Sequence, residues 1–259
     1  GLCSAKGRLL GSFFVVRKAD AVLLVCRKDT ISVLVKRLSM FVLRSKCKVM
    51  DWSERYGLHF TMKSGQEQAM SVQWHDADEA HLHFRPLDGS MPTLSLGTNS
   101  GSAPTSPDGD DAFELALFKL GIAYVSSGAV ELFVPQTINF DLVGGVSFSK
   151  GCYPGQEVVA RSHYLGKVKR RAFKATGSVA ALNAGADVWM QGKDNEPAGQ
   201  VITVVAHQGV QHALIELPVD DAENPAARFF VKTDSGEFAL TLEKPPYDVH
   251  QKGNQFERA

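Results

Sequence analysis

Apolar residues fall along this chain in several rhythms, and the changes of rhythm divide it. From Arg8 to Val16 and again from Ala21 to Cys26 they run nearly unbroken, with Arg17-Lys-Ala-Asp20 between. Two such runs joined by a polar turn predict an antiparallel hairpin, the first strand opening after a Lys6-Gly7 turn. At Ile31, Leu34, Val35, Leu38, Phe41 and Val42 the spacing becomes threes and fours. That predicts a helix capped by Thr30, with Lys36, Arg37 and Arg44 on its polar face. A strand over Lys46 to Met50, a polar stretch, and a second short strand at His81-Leu-His-Phe84 are expected next.

Residues 97–109, Gly-Thr-Asn-Ser-Gly-Ser-Ala-Pro-Thr-Ser-Pro-Asp-Gly, hold almost no apolar side chain and are expected to form a mobile loop. A helix should follow, capped by Asp111, with Glu114 completing a capping box and Gly121 ending it. Phe113, Leu117 and Leu120 share one face of it. Beyond Ala172 the pattern turns to short β-prone segments at Gln200 to Ala206, His212 to Leu217, Arg228 to Lys232 and Glu237 to Leu242. Turns such as Thr233-Asp-Ser-Gly236 separate them, and no helix is expected there. The fold class predicted is α+β, with an α+β domain over 1–167, a small all-β barrel over 168–247 and a tail over 248–259.

Charge adds little pull. Lys plus Arg and Asp plus Glu each number 28, so no global field draws the chain toward nucleic acid or an anionic membrane. The longest apolar run, Ala21 to Cys26, is far below the ~20 residues of a membrane span. The first residues carry neither an initiating Met nor the apolar core of a secretion signal, which suggests a fragment or a processed product. Cys3, Cys26, Cys47 and Cys152 form no CxxC pair, so reduced cytosolic thiols are expected rather than a disulfide framework or structural zinc.

The densest chemistry lies in Gly144-Gly-Val-Ser-Phe-Ser-Lys-Gly-Cys-Tyr-Pro-Gly-Gln-Glu157. Four glycines and a proline in fourteen residues describe a sharply bent backbone that a ligand can approach closely. Within it stand the thiol of Cys152 with Lys150, Gly151, Tyr153, Gly155, Gln156 and Glu157. Lys150, and Arg161 just beyond, would favour a thiolate. Taken alone, Cys152 is either such a reactive thiol or a small hydrophobe in a tight turn.

The segment Lys150-Gly-Cys-Tyr-x-Gly-Gln-Glu157 resembles the signature of the YgfZ-like family, whose relatives include mitochondrial iron–sulfur assembly factors. The likeness extends through Pro135-Gln-x-x-Asn139, Gly144-Gly-Val-Ser-Phe148, Val158-Val-Ala-Arg161 and Tyr164-Leu-Gly-Lys-Val-Lys-Arg-Arg171. It also takes in Leu2-Cys-Ser-Ala-Lys-Gly-Arg8 and Leu38-Ser-Met-Phe-Val-Leu-Arg-Ser-Lys46, so that it covers nearly the whole chain. It implies the fold of GcvT, the folate-dependent aminomethyltransferase of glycine cleavage: a folate-binding α+β domain followed by a β-barrel. It further implies binding of tetrahydrofolate or a one-carbon derivative, and support of iron–sulfur cluster assembly or repair and of iron–sulfur-dependent tRNA modification. Cys152 becomes the functional thiol, and Phe113, Gln136, Asn139, Tyr153 and Gln156 become candidate folate contacts. The implied partners are folate and iron–sulfur proteins such as tRNA-thiolating enzymes, met by a monomer in the bacterial cytoplasm without a membrane.

Three departures qualify the resemblance. Family members begin several dozen residues earlier, so part of the pterin pocket is expected to be missing here. Phe113 stands where the family carries a tryptophan, which keeps a stacking face and loses the indole donor. The acidic residue of the aminomethyltransferases has only Asp29 near its position, out of register, which favours an accessory role over aminomethyl transfer. If the chain is an enzyme, a tetrahydrofolate-dependent one-carbon transfer is the reaction implied. Two weaker signals remain. His75, His81 and His83 with nearby carboxylates suggest an acidic turn before an edge strand more than a metal site. The cations Arg161, Lys167, Lys169, Arg170 and Arg171 offer either a weak tRNA contact or a solvated strand.

Overall fold

The computed structural model of the chain describes residues 1–65, 70–76, 78–98, 110–164, 167–178, 182–193 and 195–251. Its first apolar run is broken at Ser12. A short β1 (Leu2–Cys3) pairs with β2 (Leu9–Gly11), and β3 (Phe13–Arg17) pairs in register with β4 (Val22–Cys26), as the hairpin pattern requires. Helix α1 (Ile31–Ser39) is shorter than its spacing suggests, and only Leu34 is buried. Thr30 does not cap it through its side chain; its hydroxyl donates instead to the Arg27 carbonyl. Phe41 and Val42 lie beyond the helix, and Lys46 to Met50 is no strand, since the segment is mostly exposed and forms no ladder with any described residue.

The stretch read as polar is an antiparallel sheet. Strands β5 (Tyr56–Ser64), β6 (Ser71–Trp74), β7 (Ala80–His83) and β8 (Ser90–Thr98) associate in the order β5, β8, β7, β6. Gly97 and Thr98, expected in a mobile loop, end β8; residues 99–109 lie outside the described residues. Helix α2 (Asp110–Leu120) lays Ala116, Leu117 and Leu120 on this sheet against Phe60, Leu82, Phe84, Leu94 and Leu96. Asp111 falls inside α2 rather than capping it, and Gly121, at φ +67°, takes the left-handed conformation that ends it.

After a 3₁₀ turn over Pro135–Ile138 and the glycine-rich loop comes α3 (Gln156–Tyr164). The remainder is β9 (Arg170–Gly177), β10 (Asp187–Met190), β11 (Gly199–His207), β12 (Val210–Pro218), a single turn α4 (Val219–Ala222), β13 (Phe229–Thr233) and β14 (Gly236–Glu243). The six strands close into a barrel in the order β10, β11, β12, β9, β14, β13. Closure removes both sheet edges, and Phe173, Val188, Val201, Ile215, Leu217, Phe229 and Val231 fill the centre. The outward residues Ile202 and Leu214 join a second core with Leu9, Phe118, Val125, Ile138 and Phe140, which ties the barrel to the rest. The architecture is therefore α+β followed by a barrel. No helix among the described residues is long and apolar enough to cross a membrane.

Candidate functional site

The residues before the glycine-rich loop fasten it down. Gln136 and Asn139 are fully buried. The Gln136 side-chain amide donates to the Val159 carbonyl on α3 at 2.6 Å. Asn139 adopts φ 63°, and its amide donates to the Ala172 carbonyl at 2.8 Å and to the Tyr247 hydroxyl at 3.2 Å. The Tyr247 hydroxyl in turn donates to the Gly121 carbonyl at 2.6 Å, and burial pushes its pKa far above the usual phenol value. Beside them Arg171 donates to Asp141 at 2.6 and 3.1 Å and to the Gln136 carbonyl at 2.9 Å. Pro135-Gln-x-x-Asn139 and Arg171 thus meet in one buried polar clamp between loop, α3 and β9.

The loop itself docks on the N-terminal element through two glycines. A Cβ on Gly155 (φ +79°) would lie 2.4 Å from the Ser4 carbonyl oxygen and 2.6 Å from the Gly7 Cα. A Cβ on Gly7 (φ +72°) would meet Val158 at 2.7 Å. The Lys6-Gly7 turn and the motif are therefore two halves of one close backbone contact. Cys3 is buried in that contact, and burial pushes its thiol pKa up against the opposing pull of the chain's amino group and Lys150.

Cys152 stands on the outside of the loop, exposed, with Lys150 and Gly151 exposed beside it. The Lys150 ammonium lies over the Tyr153 ring, 4.4 Å from its centroid. Tyr153 is half-buried, and its pKa is raised by burial and by the nearby Cys3. Gln156 opens α3, its backbone N–H donating to the Tyr153 carbonyl at 3.1 Å. Glu157 lies exposed in the first helical turn, where the helix dipole favours an anion, and Arg161 is exposed one turn further on.

A cavity of about 870 Å³ opens between the β3–β4 hairpin, α2 and the start of the loop. Phe13, Phe14, Val25, Leu82, Phe113 and Phe140 make an apolar wall. Arg27, Asp29, Glu114 and Tyr124 make one polar corner. There the Arg27 guanidinium pairs with Glu114 and lies 5.0 Å from the centroid of the Tyr124 ring. The Tyr124 hydroxyl donates to Glu114 at 2.7 Å, and burial raises its pKa. Asp29 accepts the Ser127 N–H at 2.9 Å on one oxygen. Gly144 and Gly145 complete the wall and join it directly to the Cys152 loop. Gly145 has no room for a side chain, since a Cβ would lie 2.9 Å from the Phe140 ring.

Of the folate contacts nominated from sequence, Phe113 lines this cavity while also packing on Phe14, Phe60 and Phe84. Asn139 and the Gln136 amide nitrogen are engaged in the clamp, and Tyr153 and Gln156 are not on the cavity wall. The polar corner went unnoticed in the sequence because Arg27 and Glu114 are far apart along the chain. The basic run also needs correcting. Arg171 is buried against Asp141, and Arg170 is held by Glu216 at 2.6 Å, so only Arg161, Lys167 and Lys169 remain exposed. In the histidine cluster, the His81 Nδ1 faces both His75 at 2.8 Å and the Lys63 ammonium at 3.1 Å. No group of three or more metal-binding side chains occurs among the described residues.

No family model matches the chain. It is similar to the tRNA-modifying protein YgfZ of Edwardsiella ictaluri, 26% identical over 97% of this chain and 81% of that protein. The protein of the same name from Photorhabdus laumondii is 26% identical over 96% of this chain and 80% of its own length. The Klebsiella pneumoniae YgfZ reaches 33% identity over a shorter match, 50% of this chain and 39% of that protein. Among solved structures, the glycine cleavage aminomethyltransferase T of Bartonella henselae superposes with a TM-score of 0.58 at 12% identity, covering 98% of this chain and 76% of that one. At that identity the likeness is one of fold.

Proposed function

From the premise that the chain is a YgfZ-like protein on an aminomethyltransferase-type fold, we propose that it binds tetrahydrofolate or a one-carbon derivative in the cavity. In this reading it supports iron–sulfur cluster assembly or repair and iron–sulfur-dependent tRNA modification, with Cys152 as the working thiol. The carrying observation is the cavity itself. Its apolar and aromatic walls suit the faces of a pterin, and its polar corner supplies the carboxylates of Asp29 and Glu114 for the pterin's N–H edge. The volume lies within the range of small-molecule sites.

Bound there, the folate would supply a one-carbon unit. The protein's own residues would hold it: Phe113 and Phe14 would offer apolar ring faces, Glu114 is held in place by Arg27 and Tyr124, and Gly144–Gly145 leave the cavity open toward the loop that carries the thiol. The test is complementation. In a bacterial strain lacking its own YgfZ, this chain should raise iron–sulfur enzyme activity and tRNA thiolation, and Cys152→Ser should not. Full rescue by the serine variant would remove the thiol from the account.

A second reading, folate-dependent aminomethyl transfer, draws on the place of Asp29. Its carboxylate borders the cavity despite its displaced register in the sequence. That reading requires methylenetetrahydrofolate to form from an aminomethyl-lipoyl carrier, and absence of turnover would dismiss it.

A further inference from the structure

With Arg170 and Arg171 internally paired, the exposed remainder of the basic run borders a cluster of rings in the sequence. Phe148, from the glycine-rich loop, stacks on His163 of α3 with centroids 3.8 Å apart and planes 22° from parallel. Tyr164 meets His163 edge-on at 4.9 Å and is 65% exposed, so its ring presents a face to solvent. Arg161, Lys167 and Lys169 are exposed close by in sequence, and none forms an ion pair among the described residues. Glu157 is one helical turn from Arg161, yet the two do not pair. A stacked ring pair with an exposed phenol at its edge, and exposed cations close to it in sequence that form no ion pair among the described residues, has the components of a single-stranded nucleic acid site. Every base has a π-face to stack, and every phosphate needs a cation.

We propose that Phe148, His163 and Tyr164 form a stacking platform for an unpaired RNA base, with Arg161, Lys167 and Lys169 taking the neighbouring phosphates. The proposal rests on the tRNA-related reading above and assigns to it a contact surface. His163 and Tyr164 close α3, and eight steps of 1.5 Å rise place Tyr164 about 12 Å along its axis from Gln156, which opens it. The alternative occupants, duplex DNA and an anionic membrane, offer charge without accessible base faces.

The experiment is a titration of the full chain with fluorescently labelled single-stranded RNA of about ten nucleotides. Unfractionated tRNA, duplex DNA of equal length and vesicles of one-third phosphatidylglycerol run in parallel. Wild type should prefer the RNAs. Tyr164→Ala should weaken RNA binding roughly 5- to 150-fold, the range for loss of one stacked base, while Tyr164→Phe should retain it. Lys167→Gln with Lys169→Gln should lower the slope of log affinity against log salt by about 1.4, at ~0.7 per single-stranded phosphate contact. Tyr164 is not on the cavity wall, so folate affinity should not change in these variants. Equal RNA binding by wild type and Tyr164→Ala would overturn the platform, as would preference for duplex DNA or vesicles. Folate binding without RNA binding would remove the platform and leave the folate reading standing. RNA binding without folate binding would do the reverse.

Discussion

Replacing Arg171 with methionine should remove the cation that pairs with Asp141 while keeping most of the side chain's apolar stem. Arg171 and Asp141 have side-chain exposures of 3% and 2%, so the carboxylate left behind is uncompensated and out of water. Breaking a buried pair in this way costs about 3–5 kcal/mol. The carbonyls of Gln136 and Val249 also lose a charged donor, at 2.9 and 3.2 Å. For a chain of this size about 2–4 °C of melting temperature goes with each kcal/mol, so Arg171→Met should melt roughly 6–20 °C lower. Urea unfolding should show a reduced midpoint with an unchanged slope. The double variant Arg171→Met with Asp141→Leu removes both charges and should regain most of the loss, because a buried pair replaced by apolar groups is often neutral. A single-variant cost below ~1 kcal/mol, or a double variant worse than either single one, would refute this view of the clamp.

The glycine contact predicts a contrast within one motif: Gly155→Ala forces a Cβ against the Ser4 carbonyl at positive φ and should destabilise the protein by more than ~1 kcal/mol in denaturant. Gly151→Ala meets nothing within 4 Å and should leave the melting temperature unchanged. His81 has its pKa lowered, first by burial and then by Lys63 and His75, so the folded state takes up its proton less readily than the unfolded chain. Stability should therefore fall as pH drops below the ordinary histidine range near ~6.5, with His212, also depressed by burial, adding in the same sense. Melting curves at pH 7.5 and 5.5 would show this, and His81→Gln should flatten part of the difference. Glu114→Gln weakens the partner of Arg27 and should reduce folate affinity with little effect on RNA binding, measured by parallel titrations.

The barrel was largely legible because its strands have turn signals between them. Of the four segments named from sequence, three fall within β11, β12 and β14, and Arg228 to Lys232 begins one residue before β13. The α+β half was harder. In β5, Tyr56, Leu58, Phe60 and Met62 do alternate with other residues, but Leu58 and Met62 are exposed, so the apolar signal is diluted by half-buried positions. Strand β8 carries Pro92 opposite Met62, and a proline normally argues against a strand interior. The Cys152 loop was visible from its glycines, and the contact between Gly155 and Gly7 explains why two separated motifs carry the same family resemblance. The clamp and the polar corner were not visible. Arg171 looks like one cation among five until Asp141, 30 residues away, is seen to claim it. Glu114 fits a capping box until Arg27 and Tyr124 are seen to hold it.

The central claim is that the cavity beside the Cys152 loop holds a folate, and calorimetric titration with tetrahydrofolate under anaerobic conditions tests it most directly. The account predicts saturable binding at one site per chain, weakened at least tenfold (~1.4 kcal/mol) by Glu114→Gln and unaffected by Cys152→Ser, whose side chain lies outside the cavity wall. Absence of binding by wild type, or equal binding by Glu114→Gln, would contradict it.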